Sequence, residues 1–296
     1  MVVMSPSKPS GSSPQSPTLA GNAAVAETEE SKLPRSSSVD LLVLLEELAK
    51  FDRVGVTRLS RHLRIPVANA YRSLRILERT GFVEQLADTK EYRLTLKLFE
   101  LGSQVASRTT MRDVAAVEIE RLAQRAGTSV NLGVLIDASV LYVAKVETDD
   151  LISMNIRPGS RAPATCTGMG KAMLAAESRP LVEIVGEGPY VAMTKYSITT
   201  LSELEKEIAI VRRQGYATDR QELHLGHWCV AVAIPGTRQA QNGALSIALY
   251  GDEPNHETYE YFARMAMESA GRIARHIGGL DELPSWESRR ASYPMA

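Results

Sequence analysis

The sequence predicts an α+β protein in two parts, a winged helix-turn-helix toward the N-terminus and an α/β region behind it. Two observations carry this prediction. Residues Thr57 to Thr95 read as helix, sharp turn, basic helix and two-stranded hairpin. From Thr110 onward, β-rich runs mix with helices that bring their own start and stop signals.

In the first part, Ser38 caps a helix carrying Leu41, Leu44, Leu45 and Leu48, a spacing that makes one apolar stripe. Thr57 stands just before Arg58 to Leu63, where its hydroxyl can cap a short helix with Leu59 and Leu63 on the buried side. Pro66 ends that helix and presets φ for the next. The second helix spans Val67 to Thr80 and stops at Gly81, a residue able to take the left-handed conformation of a helix end. At about 100° per residue, Val67, Ala70, Leu74 and Leu77 share one side while Ala68, Arg72, Arg75 and Arg79 share another. Gly81 to Gln85, a polar turn at Ala87 to Lys90, and Glu91 to Leu94 then form a hairpin with Lys90 and Arg93 near its tip.

A row of guanidinium forks suits a duplex, where Arg pairs with phosphate or with the O6/N7 edge of guanine. Small residues at the helix start let it enter a major groove, and a basic wing adds backbone contacts. Arg58 to Lys97 holds nine Lys/Arg against four Asp/Glu, whereas the whole chain has a formal charge of −1. The charge is therefore polarised, as expected when one domain alone meets nucleic acid. The dull reading is a tri-helical core with a solvated arginine face, and the hairpin with its basic tip weighs against it.

At 296 residues the chain is long enough for two compact domains with tails. Hydrophobic residues at 44% and charged residues at 23% place it among soluble globular proteins. No stretch approaches the ~20 apolar residues of a membrane span, and no signal peptide is legible, so a cytoplasmic protein is expected. Cys166 and Cys229 cannot make a disulfide framework. Residues 1–35, with five Pro and seven Ser, read as a disordered tail, and residues 280–296 as a second tail.

After a helical connector from Leu96 to Arg108 comes a helix through Val114, Val117, Leu122 and Ala126, stopped by Gly127. Ser129 to Ile136 and Val140 to Val146 form a hairpin about Asp137 to Ser139, and Leu151 to Arg157 is a further strand. Pro163 to Lys171 opens a helix ending near Ala176, whose free N–H groups, approachable past Gly168 and Gly170, favour a carboxylate or phosphate. Thr200 and Glu203 make a capping box for a helix ending at Gly215. Trp228 to Ile234 and Ala244 to Tyr250 are strand-like, and His256 to Ile277 is the closing helix.

Ser38-Val39-Asp40, Leu59 to Leu63, the run Tyr71-Arg72-x-Leu74-x-x-Leu77-Glu78-x-x-Gly81-Phe82-Val83, Tyr92-Arg93-Leu94 and Leu101-Gly102 resemble the N-terminal domain of IclR-type bacterial transcriptional regulators. Arg161-Ala162-Pro163, Gly168-x-Gly170-Lys171-Ala172, Gly215-Tyr216-Ala217-x-Asp219, Gly226, Cys229-Val230-Ala231 and Leu245-Ser246-Ile247 resemble the family's effector domain, a sheet flanked by helices related to GAF-type sensors. The resemblance implies a winged helix-turn-helix over 36–95, a linker helix over 96–109 and a GAF-like α/β effector-binding domain over 110–279. It implies DNA contacts from Val67, Ala68, Asn69, Tyr71, Arg72, Arg75, Lys90 and Arg93. The chain departs from the family at Val67, Ala68 and Asn69, where relatives usually carry a basic residue followed by Ser and Thr.

Carried over residue by residue, the resemblance puts Leu151 and Met154 at a pocket floor and the Gly168 and Met169 backbone at an effector's acidic group. Asp219, Cys229 and Ser246 form the polar wall, and Ala248 stands where some relatives have a second hydroxyl. The implied partners are double-stranded operator DNA, a small organic-acid effector, and a second copy of the chain in a homodimer, with a dimer of dimers left open. No cofactor is expected, and repression is the commoner family mode.

Three enzymatic readings compete. Gly168-x-Gly170-Lys171 lacks the first Gly of a phosphate-binding loop, and Ala172 replaces its Ser/Thr. His224, His227 and Cys229 are close in sequence without the spacing of a structural zinc motif, so no metal is expected. Cys166 or Cys229 beside a His could be a nucleophile pair, although a lone Cys in an apolar strand usually packs as a small hydrophobe.

Overall fold

A computed structural model describes residues 37–106, 110–148, 156–234 and 243–278. The two expected tails and most of the strand expected at Leu151 to Arg157 lie outside these residues. Three helices come first: α1 (Ser37–Leu48), α2 (Val56–Leu63) and α3 (Val67–Arg79). The hairpin β1 (Val83–Gln85) and β2 (Tyr92–Leu94) pairs antiparallel, with Glu84 opposite Arg93. Leu44, Leu48, Leu59, Ala70, Leu74, Leu77, Val83 and Tyr92 close one core.

Two local expectations are corrected. Thr57 is not the cap of α2, because Gly55 occupies that position without a side-chain cap and Thr57 lies in the first turn. The reason is tertiary: Val54 bridges to Tyr92 on β2, which fixes the chain just ahead of Gly55 and Val56, where the helix begins. Arg64, in the left-handed conformation at φ 52°, ends α2 ahead of Pro66, and Pro66 instead caps α3. Gly81 follows α3 at φ 79°, as a helix end requires.

Helix α4 (Lys97–Ala106) leaves the hairpin with Leu96 at 82% and Phe99 at 74% exposure. Helix α5 (Thr110–Ala126) follows, burying Met111, Ala115, Ile119, Leu122 and Ala123, whereas Val117, expected in its apolar stripe, faces out. The buried face is the one that α5 turns toward α9, β3 and β4.

The second core surrounds a sheet in the order β5-β4-β3-β8-β7-β6, with every neighbour antiparallel. Its strands are β3 (Val130–Ile136), β4 (Ser139–Val146), β5 (Arg161–Pro163), β6 (Ala217–Arg220), β7 (His227–Ile234) and β8 (Gly243–Tyr250). The β5 edge strand was not anticipated; three residues are too few for alternation to register. One sheet face, with Val130, Leu132, Val230, Leu245 and Ile247, packs on α5 and on α9 (His256–Gly278). The other face, with Ala231 and Ala244, receives α6 (Gly168–Ala176), against which α8 (Leu201–Gln214) packs. A short α7 (Leu181–Val185) lies between α6 and α8 in the chain. The capping box of α8 forms as expected, with Thr200 and Glu203 bonded reciprocally.

The seating of α6 depends on missing and buried side chains. A Cβ on Gly170 would stand 2.1 Å from the Ala164 carbonyl oxygen, and one on Gly168 would stand 2.7 Å from Cys229 Sγ. Lys171, wholly buried, donates from Nζ to Glu222 Oε1 at 2.5 Å and to Glu207 Oε1 at 3.2 Å, tying α6 to the segment after β6 and to α8. Burial disfavours the Lys171 ammonium, yet the carboxylates of Glu222 and Glu207 outweigh it and hold the pKa above the ordinary 10.5.

Gly170→Ala should lower stability by about 2–3 kcal/mol in chemical denaturation, since the added methyl meets backbone that cannot yield. A stabilising effect, as for Gly→Ala in an open helix, would contradict this packing. Lys171→Met should cost about 3–5 kcal/mol by leaving the Glu222 carboxylate buried without its cation. Because the Lys171 pKa is raised on folding, its contribution is complete below the unfolded value and is lost as pH climbs through the folded one. The stability gap between wild type and Lys171→Met should therefore narrow above roughly pH 10.5, and a gap independent of pH throughout that range would refute the charge on Lys171.

Candidate functional site

The first candidate surface is α3. Ala70, Ser73, Leu74 and Leu77 turn inward, and the rest of the circumference meets solvent. Val67, placed by periodicity with the packing side, is 46% exposed at the overhanging first turn, and Tyr71 is 49% exposed. Ala68, Asn69, Arg72, Arg75 and Arg79 are exposed as well. The structure thus brings Val67, Ala68, Asn69, Tyr71, Arg72 and Arg75 onto one accessible surface.

The guanidinium groups there differ. Arg75 donates from Nη1 to Glu78 Oε2 at 2.7 Å across one helical turn. Both partners reach solvent, and such a surface pair contributes at most about 1 kcal/mol, so it does not bar Arg75 from another anion. Among the described residues, Arg72 and Arg79 make no ion pair. In the hairpin, Arg93 Nε lies 2.7 Å from Glu84 Oε1 in an exposed pair, and Lys90 occupies the turn at φ 58°. Lys97, counted among the basic residues, is used internally, donating to the Thr80 carbonyl at 2.7 Å.

The second candidate surface is the α6 side of the six-stranded sheet. Asp219 on β6 pairs in register with Cys229 on β7, which pairs with Ala248 on β8. Ser246, two residues from Ala248 and on the same face, lies between Ala231 on β7 and Asn131 on β3. Gly168 and Met169 start α6 directly above, with Gly168 against Cys229 and Ala231. The structure therefore gathers Gly168, Met169, Asp219, Cys229 and Ser246, all buried, on one face. Leu151 and Met154 lie outside the described residues.

The N–H cradle is narrower than the sequence suggests. Gly170 N–H donates to the capping Thr167 hydroxyl at 3.0 Å, and Lys171 N–H to the Thr167 carbonyl at 3.0 Å. Gly168 N–H faces the Cys229 sulfur. Met169 N–H is left among the described residues as the first-turn donor without a partner. The two glycines thus serve close packing of α6 on Ala164, Cys229 and Ala231.

Asp219 is held from both sides, accepting from Glu222 N–H at 2.7 Å and standing 3.5 Å from His227 Nδ1. Sequence reading missed this network of Lys171, Glu207, Glu222 and His227. Lys171 was legible only as part of a failed phosphate loop, and nothing local marks the carboxylates that meet it. Tyr142 was missed as well: burial pushes its hydroxyl up, helped by nearby Cys229 and Asp219.

The same burial removes the nucleophile chemistry. Desolvation raises the Cys229 thiol well above its usual range, with Asp219 adding to the shift, and desolvation raises Cys166 too. Neither sulfur is a thiolate at neutral pH. Burial lowers the His224 pKa, with His227 contributing. Among the described residues, no three His, Cys, Asp or Glu side chains are grouped to hold a metal ion, and no helix is long and apolar enough to cross a membrane.

Comparison with known proteins places this geometry. Residues 103–275 match the family model described as bacterial transcriptional regulator IclR C-terminal. The HTH-type transcriptional regulator KdgR of Escherichia coli K12 is 29% identical over 257 residues, covering 86% of this chain and 98% of that protein. The transcriptional repressor IclR of the same organism is 25% identical over 243 residues, covering 81% and 89%. The crystal structure of Thermotoga maritima IclR superposes with a TM-score of 0.65 at 29% identity, covering 82% of this chain and 98% of that one. The mixed α/β fold, the family match and these regulators agree: the chain belongs to the IclR family of bacterial transcriptional regulators, and is a DNA-binding regulator rather than an enzyme.

Proposed function

We propose that residues 36–95 form a winged helix-turn-helix that seats α3 in the major groove of an operator, with the β1–β2 hairpin as the wing. Residues 96–109 form the linker, and residues 110–279 form a GAF-like α/β domain that binds a small organic acid and sets operator affinity. The observation that carries this reading is the exposed face of α3, where Arg72 and Arg79, without an ion pair among the described residues, stand beside Val67, Ala68, Asn69 and Tyr71. Arg72 and Arg75 reach phosphates or guanine edges, and the small residues at the helix start admit it to the groove. Lys90 and Arg93 add backbone contacts that do not discriminate sequence.

The α6 face supports the effector half: a Met169 N–H without a partner among the described residues, the Asp219 and Ser246 side chains, and neighbours otherwise small and apolar suit a compact acid. The family resemblance carries Leu151 and Met154 over as the floor of this pocket. Pairing of two copies is supported by Leu96 and Phe99, apolar side chains left in solvent on and beside α4. Two copies present two α3 helices to two half-sites, and ligand acts by favouring one arrangement of those helices. Repression is the proposed mode, in keeping with the relative named a transcriptional repressor.

A gel shift of the full chain with its own upstream DNA should show retardation that is sequence-dependent and falls with added salt. Arg72→Ala should weaken that complex roughly 10-fold or more, and more than Arg75→Ala, whose guanidinium is already shared with Glu78. Equal operator affinity for Arg72→Ala and wild type would remove Arg72 from the interface. Ser246→Ala should abolish the ligand response of operator binding while leaving ligand-free affinity unchanged, and a folded Ser246→Ala protein unable to bind the operator would contradict the separation of the two sites.

A further inference from the structure

The first two turns of α3 hold side chains that do little for the helix they stand on. Asn69 lies in the first turn, exposed, and among the described residues its carboxamide makes no hydrogen bond. It cannot close a capping box, because Pro66 at the cap has no N–H to offer. Asparagine is also a poorer helix former than alanine, so a merely solvated surface gains nothing from it there. Arg72 follows one turn later, exposed and without an ion pair among the described residues.

Their placement on the helix is specific. Ala70, Ser73, Leu74 and Leu77 mark the buried side. At about 100° per residue, Ala68 and Arg72 stand opposite that side, Asn69 lies about 60° from Arg72 on one flank, and Val67 and Tyr71 occupy the other flank. A carboxamide offers a donor and an acceptor side by side, which complements adenine N6 and N7, whereas a guanidinium fork offers two donors, which complement guanine O6 and N7. Ala68 and Val67 offer only methyl groups, which suit the thymine methyl and let the backbone come near the bases. The remaining arginines are less suited to base edges. Arg75 is already shared with Glu78, and Arg79 lies roughly 10 Å beyond Arg72 along the axis, toward the phosphates at the rim once the first turn faces the bases.

We infer, on the proposal that α3 enters the major groove, that Asn69 and Arg72 set the operator sequence. Asn69 reads an adenine and Arg72 a guanine of the same half-site, with thymine methyls against Val67 and Ala68. The two polar side chains are about 4.5 Å apart along the helix, and stacked base pairs are about 3.4 Å apart. The A·T and G·C pairs they read are therefore neighbours or have a single pair between them. Arg79 and the wing add affinity without discriminating sequence.

The test is selection of duplexes from a random double-stranded DNA library by the full chain, followed by gel shifts on the selected duplex and on its single-pair substitutions. Wild type should select half-sites with an A·T and a G·C pair at that spacing, and changing either pair should weaken binding about 5- to 100-fold. Asn69→Ala should lose the penalty at the A·T pair alone, and Arg72→Ala the penalty at the G·C pair alone, each keeping the preference at the other pair. A phosphate contact would instead weaken every duplex equally when the side chain is removed. That uniform loss, or an unchanged preference in either variant, overturns the assignment of that residue and leaves α3 in the groove. Selection of no sequence by wild type overturns the placement of α3 itself.

Discussion

The close approach of α6 to its sheet governs the second half of the molecule. Gly170 lets the first turn of α6 lie against the Ala164 backbone, and Gly168 lets it touch Cys229 and Ala231. Lys171 then reaches, through a fully buried stem, the carboxylates of Glu222 and Glu207. Removing one charge of such a group leaves the others in a medium where they cannot be solvated, so the interaction is stringent even where its net stabilisation is modest. Helix, sheet and the segment after β6 are thereby held in one arrangement, and Asp219 takes its orientation from Glu222 in that arrangement.

Polar atoms are unevenly shared between the two faces of the six-stranded sheet. The face toward α5 and α9 is filled with Val, Leu, Ile and Met, a packing that supplies stability through apolar burial. The face toward α6 places Asn131, Ser246, Cys229 and Asp219 among alanines. The apolar packing on that side comes instead from α6 and α8, with Met173, Leu174, Leu204 and Ile208. The division follows directly from the period of two along β7 and β8.

The N-terminal half is arranged the other way round. Its core is small, built from Leu44, Leu48, Leu59, Leu74 and a few neighbours, and its distinguishing chemistry lies outside, on α3 and the hairpin. The exposed pairs Arg75–Glu78 and Arg93–Glu84 keep those side chains ordered at little energetic cost, so a phosphate can displace either carboxylate. Arg72 has no such competitor among the described residues, which sets it apart from arginines that look equivalent on a helical wheel.

Local features were legible in the sequence wherever neighbours along the chain decide the structure. The ends of α3, the capping box of α8, the β3–β4 hairpin and the arginine face all follow from spacing, caps and turn residues. The start of α2 and the buried stripe of α5 did not, because Val54 pairs with Tyr92 and the buried face of α5 is set by α9 and the sheet, both distant in the chain. The same holds at the site: Gly168, Met169, Asp219, Cys229 and Ser246 came from a motif resemblance, while Glu222 and the approach of His227 to Asp219 emerge only once separate strands are side by side. The sequence by itself determined which residues carry charge, which helices form and where they stop, since those depend on groups a few residues apart. Only the tertiary structure decided which polar atoms are buried and left unmatched, since burial and register are properties of distant segments brought together.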